Sequence, residues 1–499
     1  MDNPLYTALY TVAQIRTIEQ AAYRQLSPGT LMTRAGAAAA AYALTLLGGV
    51  PQGVVLVLAG PGNNGGDALE VAANLAGAGA HVEVIHLAGA RPSPEAAHAQ
   101  RRAAAARVHF VDAVDATRGY SLVVDGLFGI GLARPLAERA RALVAHLADV
   151  ECPVLALDVP SGLDADTGTV VGPEGVAVRA THTITFLGDK PGLHTGDGVD
   201  HAGHVQVDLL STHADAQAAQ ARLGTPALFA TQLKPRRGNS HKGSYGDVAV
   251  LGGARGMAGA GLLAARAALY AGAGRVFVAA PDAGLGVDPR QPEIMFRDAA
   301  GFDFAKRTVV AGPGLGDADL AKHLLTQVVA GSGPLLLDAD ALNLLAKSGD
   351  LAAALAAHDG PAVLTPHPLE AARLLGVTAA IVQADRLENA REIAQRFNSV
   401  VVLKGAGTVV ARPDGQVAVN TSGNPGLATG GTGDILAGLI GALLAQGWPA
   451  WEAALGGVWL HGAAADRLVR EGAGPIGMTA GELPRAIRAE LNALVAGGN

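Results

Sequence analysis

The feature that most constrains the fold is an alternation running the length of the chain. A short apolar run rich in β-branched residues is followed by a glycine or proline turn and then an alanine-rich stretch. Short runs without polar alternation predict strands covered on both faces, as in a parallel sheet. They lie at Val54–Leu58, Val82–His86, Leu122–Val124, Val154–Leu157 and Thr183–Phe186. A second series lies at Val248–Leu251, Val276–Ala280, Thr308–Ala311, Leu335–Leu337, Ala362–Leu364, Val400–Leu403 and Thr408–Ala411. Helical spacing is clear in "GLLAARAALYAGAG" and "RLENAREIAQRF". Apolar residues make up 49% of the chain but aromatics only 4%, so alanine and glycine must carry much of the helix-on-sheet packing. The predicted fold class is layered α/β. A length of 499 residues exceeds one ordinary core. The segment "STHADAQAAQARLGTPALFATQ" is polar and alanine-rich without a strand pattern. It places a boundary near residues 210–225, with domains at 1–215 and 225–499.

Charge and cysteine usage narrow the partners. The net charge is −7 with no long Lys/Arg block, so nucleic acid is not an expected partner. A single cysteine, Cys152, cannot close an intrachain disulfide, which fits a reducing, cytoplasmic setting. The opening "MDNPLYTALY" has neither the basic region nor the apolar core of a signal peptide. Residues 35–66 carry no charge, yet "GGVPQG" cuts that run into a short helix and a strand, so no membrane span is expected. A homo-oligomer is the expected assembly.

Towards the C-terminus, "NPGLATGGTGDILAG" (residues 424–438) concentrates glycine around one carboxylate, Asp434, and then turns apolar. Glycine lets backbone approach a ligand closely, and a helix N-terminus offers aligned N–H donors with partial positive charge. Asp434 would stand beside such an anion cradle, placed to take a proton from a hydroxyl attacking phosphorus. An ordinary cap on a buried helix would use the same residue. In "VVLKGAGTVV", Lys404 and Thr408 either hold phosphates or simply complete a hairpin. "AGPGLG" leaves a glycine-lined strand end at Gly316, "LLLDADALNLL" presents Asp338 and Asp340, and "VLTPHPLE" presents His367. Polar residues gathered at several strand ends predict a ligand site. No G-x-x-x-x-G-K-[ST] occurs, which excludes a P-loop.

Taken in order, "GNSHKGSYGDVAVLGG", "MAGAG", "GPGLG", "DADALN", "LTPHP", "LKGAGT" and "NPGLATGGTGD" resemble the NAD(P)H-hydrate dehydratase family of the ribokinase-like superfamily, across essentially the whole second half. The resemblance implies a ribokinase-like α/β/α domain. Such a domain uses ADP or ATP, with Mg²⁺, to remove water from hydrated NADH and NADPH (NADHX and NADPHX), bacterial members favouring ADP. It implies that Asp434 contacts the hydrate as base, that Gly431, Thr432 and Gly433 form the anion cradle, and that Ala260, Gly316 and His367 line the hydrate pocket. Lys404, Gly405, Ala406, Gly407, Thr408 and Asn424 would bind the nucleotide. One departure is Leu369, where the family pattern has glycine after "TPHP".

The first half holds a different carboxylate constellation. "LAGPGNNGGDALE" leaves a strand and enters a helix, but no acidic residue follows where a dinucleotide fingerprint needs one. Asn63, Asn64 and Asp67 stand there; "VVDGLFGIGLARP" adds Asp125, and "LALDVPSGLDADTG" adds Asp158 and Ser161. Turn chemistry alone favours the same residue types. The three segments are similar to the NAD(P)H-hydrate epimerase family over roughly residues 10–210, implying a Rossmann-like three-layer α/β/α domain. By that resemblance Asn63, Asn64, Gly65, Gly66 and Asp67 contact the hydrate, as do Gly129, Ile130, Gly131, Leu132, Ala133, Arg134 and Pro135. Asp158 faces the hydroxyl-bearing ring carbon as the catalytic group, and Asn64, Asp125 and Ser161 ligate K⁺ through oxygen. Ala68 stands where the family pattern has glycine.

Two other readings use the same residues. A small-molecule kinase acting on a vitamin-precursor alcohol would share Asp434, and a first half serving only as a non-catalytic binding domain would share its fold.

Overall fold

The computed structural model describes residues 7–49, 53–87, 92–115, 118–148, 150–212, 214–216, 218–282 and 286–497. The chain divides into two compact units, parting between Arg222 and Leu223.

The N-terminal unit is built on seven strands: β1 (Val54–Ala59), β2 (His81–His86), β3 (His109–Phe110), β4 (Tyr120–Gly126), β5 (Val154–Leu157), β6 (His182–Phe186) and β7 (His204–Asp208). They form a parallel sheet in the order β3-β2-β1-β4-β5-β6-β7. This is the doubly wound order, which reverses direction between β1 and β4 and opens a crevice at the strands' C-terminal ends. Residues of β1 alternate between two cores: Val55, Val57 and Ala59 join one, Leu56 and Leu58 the other. That double burial is why the strand reads as an unbroken apolar run. The helices Thr30–Leu46, Asn63–Gly77 and Pro94–Ala105 pack together on one side. Ala68, the departure from the family pattern, is fully buried there, and its methyl fits because Gly126 opposite has no side chain.

In the C-terminal unit nine strands lie wholly within its bounds: β8 (Asp247–Leu251), β9 (Arg275–Ala280), β10 (Met295–Asp298), β11 (Thr308–Ala311), β12 (Leu335–Leu337), β13 (Ala362–Leu364), β14 (Val400–Leu403), β15 (Val409–Ala411) and β16 (Val417–Asn420). Their order is β16-β15-β14-β13-β12-β11-β8-β9-β10, parallel except for β15, which runs antiparallel to both neighbours. Here the direction reverses between β8 and β11. The Thr432–Ala445 helix lies against the sheet and is buried almost all round. It meets the Ala258–Tyr270 helix so closely that a Cβ on Gly438 would fall 1.9 Å from the Ala264 carbonyl oxygen.

The structure contains strands that the sequence pattern does not reveal. β3 has two residues, β10 is half exposed, and β7 ("HVQVD") carries polar residues, so none forms an apolar run. The polar segment read as strandless contains Ala221–Gly224, which pairs antiparallel with Ala8–Leu9. Its partner lies more than two hundred residues away in sequence, so local pattern carries no signal for it.

In a helix interior, Gly→Ala ordinarily gains about 1 kcal/mol. Gly438→Ala is expected to do the opposite, destabilising the C-terminal unit by about 1–3 kcal/mol through overpacking against backbone. Trp448, Trp451 and Trp459 all lie in that unit, so urea unfolding followed by tryptophan fluorescence reads it alone. A raised midpoint would contradict the close approach.

Candidate active sites

In the C-terminal unit the polar residues sit past the C-terminal ends of β11 to β14. Asp338 follows β12 and is buried, and Lys404 follows β14. Lys404 Nζ donates to Asp338 Oδ1 at 2.7 Å and lies 3.9 Å from Glu370 Oε2. Burial works against the ammonium, but Asp338, Glu370 and Asp434 hold its pKa above the usual lysine value. The Thr432–Ala445 helix points its N-terminus at this pair: a Cβ on Gly433 would stand 3.5 Å from Lys404 Nζ. Gly431 precedes the helix with φ of 92°, a conformation that favours glycine, and supplies no side-chain cap. The N–H groups of Gly433 and Asp434 have no acceptor among the described residues. Asp434 occupies the first turn, where burial and the neighbouring Asp338 carboxylate, opposed by Lys404, push its pKa to about 6. A carboxyl group poised there, beside open N–H donors and a cation, can accept a proton from an alcohol near a bound anion.

The other expected residues fall around this centre with different fates. The Gly316 N–H donates to Asp340 Oδ2 at 2.8 Å, and Ala260 packs against Gly314. His367 caps the Pro368–Leu375 helix: its Nδ1 accepts from the N–H groups of Leu369 and Glu370 at 3.1 and 3.3 Å. The remaining proton of the neutral ring is therefore on Nε2, and burial and Lys404 hold the pKa below the usual value. Leu369 contributes only its N–H and leaves its side chain 48% exposed, so this departure does not disturb the cap. The Thr408 hydroxyl is turned onto Gly405 O and the Thr432 hydroxyl onto Leu427 O and Thr429 O. Asn424 spends its amide on Gly426 N–H and Asp466, tying the glycine-rich loop to the Ala450–Arg470 helix. Sequence reasoning missed Arg386, which is buried beneath the Lys404–Gly405 turn and donates to the carbonyls of Leu403 and Lys404 at 3.1 and 3.3 Å. It also missed His461, whose pKa burial pushes to about 4. Both belong to helical patterns, which announce a face but not what it meets.

In the N-terminal unit a cleft of about 390 Å³ opens where β1 and β4 part. Asn63, Asn64, Asp67, Gly129, Ile130, Gly131, Leu132 and Asp158 line it, whereas Ala133, Arg134 and Pro135 lie outside its wall and are exposed. Gly65 and Gly66 are buried behind it. A Cβ on Gly65 would fall 1.9 Å from the Gly60 carbonyl oxygen, so only glycine lets the Asn63–Gly77 helix start this close to β1. The N–H groups of Asn63, Asn64 and Gly65 at that helix start have no acceptor among the described residues. Asp67 is held well above the usual carboxylate pKa by burial and by the charges of Asp158 and Glu19.

Asp158 has φ of 67°, a left-handed conformation that a non-glycine residue seldom adopts without compensation. Its Oδ2 lies 3.3 Å from the Ile130 N–H, and its Oδ1 accepts from the fully buried Lys190 Nζ at 2.6 Å. No motif reading singled out Lys190. Asp125 and Ser161 are both fully buried. The Ser161 hydroxyl and N–H donate to the Asp125 carboxylate at 2.7 and 2.8 Å, and burial lifts the Asp125 pKa to about 6. The buried amide of Asn64 has, among the described residues, no partner at either Oδ1 or Nδ2, which leaves an oxygen free for a cation. Among the described residues, no group of three or more His, Cys, Asp or Glu side chains is placed to hold a metal ion, and no helix is long and apolar enough to cross a membrane.

Because the folded-state pKa of Asp434 is raised, the ionised carboxylate costs stability above pH 6. That cost fades as the pH falls to about 4, the unfolded value. Asp434→Asn is therefore expected to stabilise the C-terminal unit by about 1–3 kcal/mol at pH 8 and by almost nothing at about pH 4. Tryptophan-monitored urea unfolding at both pH values measures it, and destabilisation at pH 8 would contradict the buried-charge account.

Two family models match the chain, one within each unit. The family model described as NAD(P)H-hydrate dehydratase matches residues 248–489, and the one described as YjeF-related protein N-terminus matches residues 28–192. The bifunctional NAD(P)H-hydrate repair enzyme Nnr of Escherichia coli is 38% identical over 448 residues, covering 88% of this chain and 85% of that protein. Its counterpart from Coxiella burnetii is 39% identical over 502 residues, covering 97% and 100%. A crystal structure of the Bacillus subtilis ADP/ATP-dependent NAD(P)H-hydrate dehydratase, co-crystallised with ATP/Mg²⁺, is 32% identical and covers 55% of this chain and 98% of that one, with a TM-score of 0.47. Over nearly its whole length, the chain belongs to the family of bifunctional NAD(P)H-hydrate repair enzymes.

Proposed function

We propose that the chain restores hydrated NADH and NADPH through two activities. Residues 1–215 epimerise the R and S hydrates, and residues 225–499 dehydrate the S epimer at the expense of ADP. The family membership supports both activities. The observation that carries the second is Asp434, standing at an open helix N-terminus beside the Asp338–Lys404 pair.

Hydroxide is a poor leaving group, so the ring hydroxyl must first become a phosphate ester. Asp434 takes the proton of that hydroxyl as its oxygen attacks the terminal phosphorus of ADP, and AMP leaves. The N–H groups of Gly433 and Asp434 and the Lys404 ammonium receive the transferring phosphoryl group. The ring nitrogen lone pair then expels phosphate, a ring proton is lost, and the dihydronicotinamide is restored. Gly405 to Thr408 flank the nucleotide, while Ala260, Gly316 and His367 face the hydrate. When bound with the nucleotide, Mg²⁺ would be held by the phosphates and would supply neutralisation of their charge.

In the other unit the open N–H groups of Asn63 to Gly65 suit the dinucleotide's phosphates. Asp158 assists reversible loss of the ring hydroxyl: the ring nitrogen lone pair expels it, the leaving oxygen takes up a proton to depart as water, and water adding to the opposite face gives that proton back. K⁺ would lie on the free Asn64 oxygen with Asp125 and Ser161, and its positive charge offsets the buried carboxylate. Two epimers arise at one ring carbon and a chiral pocket accepts one, so carrying both activities on one chain lets neither hydrate accumulate. The setting proposed for this chemistry is the cytoplasm.

Incubation with both epimers of hydrated NADH, with and without ADP, tests the proposal. With ADP both epimers should be consumed, with absorbance of NADH recovered and inorganic phosphate released. Without ADP only epimer interconversion should occur. A stable phosphoester on a vitamin-precursor alcohol, with no NADH formed, would favour the kinase reading instead. Asp434→Asn should lower the dehydration rate by at least about 10³-fold. In the wild type, kcat/KM for dehydration should rise with pH through about 6 as Asp434 ionises, because only the carboxylate form is a base. A flat profile from pH 5 to 8 would remove Asp434 from that role.

A further inference from the structure

Lys190 lies outside the cleft wall and inside the protein: it is 0% exposed, yet carries an ammonium group. Its three N–H bonds are all spent, on Asp158 Oδ1 at 2.6 Å, Thr185 Oγ1 at 2.6 Å and Phe186 O at 2.8 Å. It has no donor left for a substrate and no route to one. Two of its acceptors belong to β6, next to the strand whose end carries Asp158, so the ammonium is fixed to the sheet rather than to a loop.

The Asp158 carboxylate needs that hold. Its backbone is left-handed, and Asp67 and Glu19 share the cleft as further acidic groups. With Oδ1 clamped by Lys190, Oδ2 is directed to the Gly129–Ile130 loop: the Ile130 N–H is 3.3 Å away, and a Cβ on Gly129 would come within 2.8 Å. We propose that Lys190 is the positioning residue of the epimerisation site, its buried ammonium turning the Asp158 carboxylate so that Oδ2 faces the reacting ring carbon. This rests on the reading of Asp158 as the group that acts there. Stability alone does not account for a buried ammonium, since a buried ion pair is commonly no more stabilising than apolar side chains of the same volume. Orientation does account for it, because a misplacement of about 1 Å at a reacting group costs about 100-fold in rate.

The test uses the full chain without ADP, so that the second activity is idle, and follows interconversion of the two hydrate epimers by chromatography. Lys190→Met fills the same volume without the charge. It should lower kcat at least about 100-fold while KM changes less than about threefold. Lys190→Gln, which keeps a donor, should fall between Met and wild type. Thr185→Val keeps the shape but removes one acceptor from the ammonium, and it should lower kcat about 3- to 10-fold. Wild-type kcat in Lys190→Met overturns the proposal, as does a loss that appears wholly in KM. If neither Lys190 variant folds, Thr185→Val decides, and an unchanged kcat there overturns it. Asp158→Asn separates the premise from the inference: full epimerisation by that variant refutes the role of Asp158 itself, whatever the Lys190 variants do.

Discussion

A parallel sheet buried on both faces leaves its chain little room for polar chemistry. In the central strands the backbone groups pair across the ladder and the side chains of both faces are buried. Reactive groups are pushed to the loops beyond the strands' C-terminal ends. Both units obey this constraint. In one the cleft opens where β1 and β4 part; in the other Asp338, His367 and Lys404 follow β12, β13 and β14.

Given that placement, the two units handle a carboxylate in opposite ways. Asp434 stands near another carboxylate and at the positive end of a helix, and burial leaves it to titrate about pH 6. That suits a group that must take up and release a proton. Asp158 is instead clamped through one oxygen by a buried ammonium, in a backbone conformation that would otherwise be costly. That suits a group whose direction matters. Each arrangement carries a local cost that the surrounding core bears, as is common where chemistry is done.

Glycine appears at both sites for a steric reason. At Gly65 and Gly438 the neighbouring backbone comes closer than any Cβ permits, and those approaches bring a helix onto its strand or onto another helix. The open N–H groups at the start of the Asn63–Gly77 and Thr432–Ala445 helices follow from the same choice, since glycine at the N-cap offers no side chain to satisfy them. An anion can then take the place that a capping side chain would fill.

Much of the fold is legible in the sequence. The apolar runs mark twelve strands, because burial on both faces leaves a continuous signature, and the glycine-rich loops with Asp434, Asn64 and Asp158 stand out through residue type and order. What pattern could not reveal is what meets what. Lys190 reads as one more charge after a strand, and only the fold places its ammonium among Asp158, Thr185 and Phe186. Arg386 reads as the polar start of a helix, and only packing puts it under the Lys404 turn. The Ala8–Leu9 strand depends on pairing with Ala221–Gly224, more than two hundred residues away. Local sequence sets the periodicity and turns that a chain prefers; which distant side chains share one buried volume, and so which charges pair, is decided when the layers close.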